Sequence, residues 1–181
     1  MNRITNYKLL SKGDVIKTNP FPGYWGCGIV LTDREKTNEY DPMCLIGIMD
    51  IVFTHDYLFE EINFTKLKIL QSGVYLRTDL NEYKFHRKVI CIGIYSRKMK
   101  IDLKIIGKLG VFPFPLPSLS FAVGDGSDGR WPMCGSVENS LGFEAVHTWR
   151  SIHDKENWEK DILKARKSHE DMLLKLKKKK L

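Results

Sequence analysis

The sequence predicts a mainly β fold, a small curled antiparallel barrel followed by a long carboxy-terminal α-helix. Three observations carry that prediction. Gly13 to Leu31 joins a turn-forming Gly-Asp pair to two β-branched runs and puts Gly26 and Gly28 on one face of a strand, where missing side chains permit bending or the close approach of another backbone. Met43 to Phe53 and Lys88 to Tyr95 are apolar, β-branched and each interrupted by a glycine, as strands covered on both faces are. Trp158, Ile162, Ala165, His169, Leu173 and Leu176 recur at steps of three and four, the stripe of an amphipathic helix. Short, glycine-bearing strands of this kind suit an SH3-like or related barrel.

In chain order, Gly13-Asp14 suits a turn, since glycine tolerates positive φ and an aspartate side chain bonds nearby backbone. A short strand, Val15 to Lys17, follows. Asn19 to Tyr24 contains Pro20 and Pro22, which cannot donate to a ladder, so an irregular exposed loop is expected there. Thr32 to Pro42 reads as a long hairpin loop and Met43 to Phe53 as a central strand. Thr54 to Ile62 fits a helical turn or an edge strand equally well. Leu67 to Leu70 and Val74 to Thr78 read as short strands separated by Gln71-Ser72-Gly73, with a helical start near Phe64 as the alternative. Asp79 to Glu82 is a turn, Lys88 to Tyr95 one buried strand, and Ile101 to Ile106 a strand that closes the sheet with Lys100 and Lys104 facing water.

From Gly107 the composition shifts. Pro113, Pro115 and Pro117 alternate with Phe112, Phe114 and Leu116, which favours an extended crossing that lays the apolar side chains over a barrel opening. Leu119 to Val123 reads as a further strand and Gly124 to Gly129 as a polar loop before Arg130-Trp131-Pro132. Residues 1–150 thus form the β domain, and Ser151, with Asp154 three residues on, starts a helix running through 151–181. Its stripe either packs on the β domain or forms a homodimer seam.

The formal charge is +7, from 29 Lys/Arg against 22 Asp/Glu. Ten of those cations and six of those anions lie in 151–181, leaving nineteen against sixteen elsewhere. The excess is therefore largely that of the lysine-rich end, where cations also suit the helix dipole. No apolar run approaches the ~18 residues of a membrane span, and Met1 to Lys8 lacks the apolar core of a signal peptide. The chain reads as cytoplasmic. Cys27, Cys44, Cys91 and Cys134 have no CxxC spacing and read as buried thiols in a reducing compartment.

Catalytic and cofactor constellations fail on their context. Gly124-x-Gly126-x-x-Gly129 has the spacing of a dinucleotide fingerprint, but Arg130-Trp131-Pro132 stands where the phosphate-binding helix must begin. The same loop lacks the acidic spacing of a calcium site, with Ser136 in place of the bidentate glutamate. Cys134 with His147 and His153 falls short of a zinc ligand set. Cysteines within apolar strands are poor nucleophiles. His55-Asp56 with Glu60 and Glu61 is the one dense polar cluster near a buried strand, and with Tyr57 and Phe59 it suits the gripping of a basic partner. No cofactor, metal or enzymatic role is expected.

The order of these features resembles an all-β immunity-protein family of bacterial polymorphic toxin systems, the family numbered twenty-six. The resemblance rests on the Gly-Asp turn before Val15-Ile16, on Gly23-Tyr24-x-Gly26-x-Gly28-Ile29-Val30, and on Ile105-Ile106-Gly107-Lys108-Leu109 before a proline-rich segment. It covers about residues 10 to 120, and Leu103 stands near the place where the family often carries a tryptophan. The resemblance implies a non-catalytic toxin inhibitor that binds and neutralises a cognate toxin through protein–protein interaction. Candidate contacts are Asp56, Tyr57, Phe59, Glu60 and Glu61 and, in the polar loop, Asp125, Asp128 and Trp131. The alternative is a nucleic-acid-binding small β-barrel module that uses Tyr83, Lys84, Phe85, His86, Arg87 and Lys88 together with Arg97, Lys98 and Lys100.

Overall fold

The computed structural model describes residues 10–33, 43–80, 82–96, 104–116 and 141–178. Among these residues seven strands and two α-helices follow one another: β1 (Asp14–Phe21), β2 (Tyr24–Val30), β3 (Met43–Phe53), β4 (Gln71–Arg77), β5 (Tyr83–Ile90), β6 (Ile92–Ser96), β7 (Lys104–Lys108), α1 (Leu141–His153) and α2 (Lys155–Lys178). Five strands form an antiparallel sheet in the order β6-β3-β2-β1-β7, and β4 pairs with β5 in a separate ribbon. Among the described residues the larger sheet is curled but open, with β6 and β7 as its edges. Register shifts in the β1–β2, β1–β7 and β2–β3 pairs supply the curl.

The turn before β1 ties three strands together. Asp14 N–H donates to Ser11 C=O, with Gly13 at φ +89°, the positive φ that a type II turn requires at its third residue. Gly13 N–H donates to Val30 C=O at the end of β2, and Gly13 C=O accepts from Leu109 N–H just after β7. Asp14 stays buried because Ser11 N–H donates to its carboxylate at 2.8 Å.

The prolines of 19–24 predict an irregular loop, yet β1 continues through Pro20 and turns tightly at Pro22-Gly23 into β2, with Phe21 opposite Tyr24. Pro20 falls within the register shift between Thr18 and Phe21, where no ladder donor is needed. Asn19 Nδ2 donates to both Phe21 and Tyr24 carbonyls and staples the hairpin end.

Alternation along the strands sorts the core into two faces. Ile16, Val30, Cys44, Ile46 and Ile48 form one buried cluster with Ala145. Val15, Cys27, Ile29, Leu31, Leu45, Met49 and Ile92 form the other with Tyr57, Ile62, Leu67 and Ile69. Helix α1 covers the first face. It approaches so closely at Gly26 that a Cβ there would lie 2.8 Å from the Ala145 Cβ. Segment 54–70 covers the second face, with 3₁₀ turns at Phe59–Glu61 and Phe64–Lys66, and Phe112, Phe114 and Leu116 pack on the same cluster. Val111, Pro113 and Pro115 point to solvent between them, the alternation predicted for the proline-rich crossing.

Two strand boundaries differ from the sequence expectation. Gln71-Ser72-Gly73 lies inside β4 rather than before it, and the run 88–95 is split at Cys91 into β5 and β6. A backbone junction explains the split. Leu70 N–H donates to Ile48 C=O, Ile48 N–H to Cys91 C=O, and Cys91 N–H to Leu70 C=O. The first part of β3 pairs with β6, whereas Met49 forms a bridge with Ile69.

The helical region also departs from expectation. It includes α1, which the sequence reading missed, and breaks at Asp154, so Ser151 lies in the last turn of α1 and donates to Thr148 C=O. Asp154 opens α2, accepting from Asn157 Nδ2 at 2.8 Å. Residues eleven apart touch across the break: Trp158 Nε1–H donates to His147 Nδ1 at 2.7 Å, and Arg150 meets Asp161 at 2.8 Å. They would stand roughly 16 Å apart on a straight helix, so the elbow bends sharply toward this face. Arg150 is buried, with its guanidinium 4.2 Å from the Tyr24 ring centre and a second carboxylate partner in Asp154. His153 Nε2–H donates to Asp50 of β3 at 2.7 Å and fixes the end of α1. Of the expected stripe, only Trp158 and Ile162 are half-buried. Beyond them α2 stands exposed, so the stripe does not pack on the β domain.

Two outcomes follow from this packing. A Cβ on Gly107 would lie 2.1 Å from Phe59 Cδ2, whereas Gly110 has open space. Gly107→Ala is expected to lower the stability read from urea unfolding by about 2 kcal/mol, and Gly110→Ala to change it by less than about 0.5 kcal/mol. At the elbow, burial and then the neighbouring Arg150 hold the His147 pKa below its ordinary 6.5. The unfolded chain therefore takes up that proton first. Stability is full above about pH 6.5, falls as pH drops from there to the lower folded value, and then levels. Urea midpoints at pH 7.5 and 5.5 should show this difference, and His147→Gln should reduce it.

Candidate functional site

The dense polar cluster lies on the segment that leaves β3 after Phe53 and crosses the second face of the sheet. Its anchor is Tyr57, which is fully buried. The ring stacks on Phe53 with centres 3.9 Å apart, and the hydroxyl donates to Gly26 C=O at 3.2 Å. Burial raises the Tyr57 pKa and pushes the Cys27 thiol beside it up to about 12. Cys27 is thus an inert thiol, and Cys44 and Cys91 are buried as well.

Lys17 provides the second anchor. It sits on β1 with only 6% of its side chain exposed, and its ammonium is ion-paired with Asp56 and donates to Tyr57 C=O at 2.7 Å. The same nitrogen lies 5.2 Å from the Tyr57 ring centre. A buried ammonium is tolerable only with such partners, so loop and strand are tied at this point. The hydrogen bond from Lys17, more than its charge alone, holds the Asp56 carboxyl below its usual range.

The outer part of the loop is ordered by Glu61. Its Oε1 accepts from Leu58 N–H at 2.6 Å, and its Oε2 accepts from His55 Nε2–H at 2.8 Å. The bond from His55, then that from Leu58, lowers the Glu61 pKa. Phe59 is half-buried on Gly107 and Phe64, with ring centres 4.9 Å apart in the latter pair. Three residues held in place from within thus frame an exposed tip. Leu58 is 63% exposed, and Asp56, Glu60 and His55 surround it in sequence and reach solvent.

Of the contacts expected from sequence, Asp56, Glu60 and Glu61 are on the surface. Tyr57 is a core residue and presents nothing to a partner, because its ring fills the space against Phe53 and Cys27. Phe59 is mainly a packing residue. Asp125, Asp128 and Trp131 lie outside the described residues, as do Cys134, Arg97, Lys98 and Lys100. His147 and His153 bond to Trp158 and Asp50 and do not converge. Among the described residues no group of three metal-ligating side chains comes together, and no helix is long and apolar enough to cross a membrane.

Sequence reasoning missed Lys17 and Leu58. A lysine directly after Val15-Ile16, in a strand with both faces buried, is a signal for a paired charge. Leu58 had none, since one apolar residue between two aromatics does not announce which of the three turns outward. Comparison with protein-family models, with curated proteins and with solved structures finds no match to this chain.

The two lowered carboxyls set the acid response of the loop. Each is ionised in the fold at a pH where the unfolded chain is protonated, so their contribution is full above about pH 4.5 and lost as pH falls through the lower folded values. Glu61→Ala should lower the hydrogen-exchange protection factor of the Leu58 amide at neutral pH to the value that the parent chain reaches only in acid. Glu61→Gln, which keeps an acceptor, should fall between them.

Proposed function

We propose that this chain is a non-catalytic immunity protein of the bacterial cytoplasm that binds and neutralises a cognate toxin domain. The reading rests on the resemblance in residues 10 to 120 and on one structural observation. The His55–Glu61 loop holds a large aliphatic side chain outward among carboxylates while its own backbone is fastened by Tyr57, Lys17 and Glu61. A loop ordered before binding gives up little conformational freedom when it docks. An apolar anchor rimmed by charge matches the anatomy of interface hot spots, and the sign of the charge favours a basic patch on the toxin. Occlusion of that patch would neutralise the toxin without chemistry on the inhibitor's part.

The test is co-expression in a bacterial host. A partner domain captured by the tagged chain, retained after nuclease treatment, should arrest growth when expressed alone and be tolerated with the parent chain. Leu58→Asp combined with Glu60→Lys changes the tip without touching the groups that order it. It should weaken partner binding by about 100-fold and abolish protection, with the unfolding midpoint unchanged. Full protection by this double variant, or a partner that is lost with nucleic acid, overturns the proposal.

A further inference from the structure

The β4–β5 ribbon carries a second surface, separate from the acidic loop, and we propose that it binds single-stranded nucleic acid. The ribbon lies outside the five-stranded sheet and is joined to it at its base by the hydrogen bonds of Leu70 and Cys91. Its extensive contacts are between its own two strands. Along its outer half the pairing is regular, with Phe85 opposite Tyr75, Lys84 opposite Leu76 and Tyr83 opposite Arg77. Tyr83 is 69% and Phe85 56% exposed.

Two residues apart on a strand, these rings share a face and stand about 7 Å from one another, so their exposed area forms one surface on which unpaired bases can stack. Lys84 and Lys88 are exposed on the same strand. The ribbon from Gln71 to Ile90 holds four Lys/Arg against Asp79 and Glu82, which sit at its turn. Exposed aromatic rings with a cation further along the same face of an extended strand are the elements of sequence-tolerant single-strand binding, in which bases stack and the backbone follows the positive charge. Lysine is depleted in the cores of protein interfaces, so Lys88, which stands opposite Gly73 on the face that carries the two rings, favours a phosphate-bearing partner. A duplex keeps its base faces stacked internally and offers the rings nothing comparable. The net charge of +7 adds long-range attraction to a polyanion.

The experiment is fluorescence anisotropy of the full chain with a labelled 20-nucleotide oligo-dT, an oligo-U of the same length and a duplex control. Saturable binding of the single strands is expected, tighter than that of the duplex and weakening with salt. Tyr83→Ala and Phe85→Ala should each weaken it by about fivefold or more, while Tyr83→Phe retains it. Lys88→Glu should lower the slope of log affinity against log salt by about 0.7, and Lys84→Glu, on the opposite face of the ribbon, by less. Thermal unfolding of the Tyr83, Lys84 and Lys88 variants should match the parent, since those side chains are exposed, and the Phe85 variant is assayed well below its own unfolding midpoint. Absence of binding at low salt overturns the proposal. So does full binding by the double alanine variant, which would assign the affinity to the lysine-rich end instead, or preference for the duplex. Because the ribbon variants leave Leu58 and Glu60 intact, failure here is distinct from failure of the toxin-binding reading.

Discussion

Val15 and Ile16 are neighbours in sequence, point to opposite sides of the sheet, and are both completely buried. The same holds for Val30 with Leu31 and for Leu45 with Ile46, so β1, β2 and β3 need a cover on each face. A sheet of five strands cannot supply this by curling alone when it remains open. The chain therefore provides two unlike covers: a helix on one side, and an irregular segment with the proline-rich crossing on the other. Close approach decides where each sits. Gly26 admits Ala145 of α1 on the first face, and Gly107 admits the ring of Phe59 on the second.

An irregular cover has to satisfy its own backbone, because it has no ladder in which to do so. Segment 54–70 meets this need in three ways. Short 3₁₀ turns close some of its hydrogen bonds, Asp50 N–H and Ile48 C=O take up Lys68 and Leu70 through the far half of β3, and the side chains of Lys17 and Glu61 bind Tyr57 C=O and Leu58 N–H. The exposed tip is a by-product of that solution. With Tyr57 committed to the core and Glu61 to the backbone, Leu58 and Glu60 are what remains outside. A charged and partly apolar knuckle is thus obtained without any regular element beneath its tip.

Helix α2 stands apart from this economy. Its first turns are locked through Arg150, which is shared between Tyr24, Asp154 and Asp161, and through the indole of Trp158 on His147. The remainder meets solvent with leucines and lysines alike. The bend at Asp154 arises because the polar groups lining its inner side converge, so charge pairing, and not apolar burial, sets the direction in which α2 leaves the body.

Sequence alone determined the kind of elements and much of their order. Continuous β-branched apolar runs at Val15, Ile29 and Met43 to Phe53, the glycines that permit close approach, the outward alternation of Val111, Pro113 and Pro115, and the helical spacing from Trp158 onward are local properties, each fixed by side-chain geometry within a few residues. Tertiary structure decided the rest. A run from Lys88 to Tyr95 looks continuous until Leu70 and Ile48 capture the backbone of Cys91, and a proline in β1 looks forbidding until a bulge removes the need for its missing N–H. Tyr57 reads as a surface aromatic until Phe53 and Gly26 enclose it. In each case the deciding partner is distant in the chain or bound through backbone atoms that every residue shares. A hydrogen bond to a main-chain carbonyl leaves no mark in the letters of the sequence, whereas the alternation of greasy and polar side chains does.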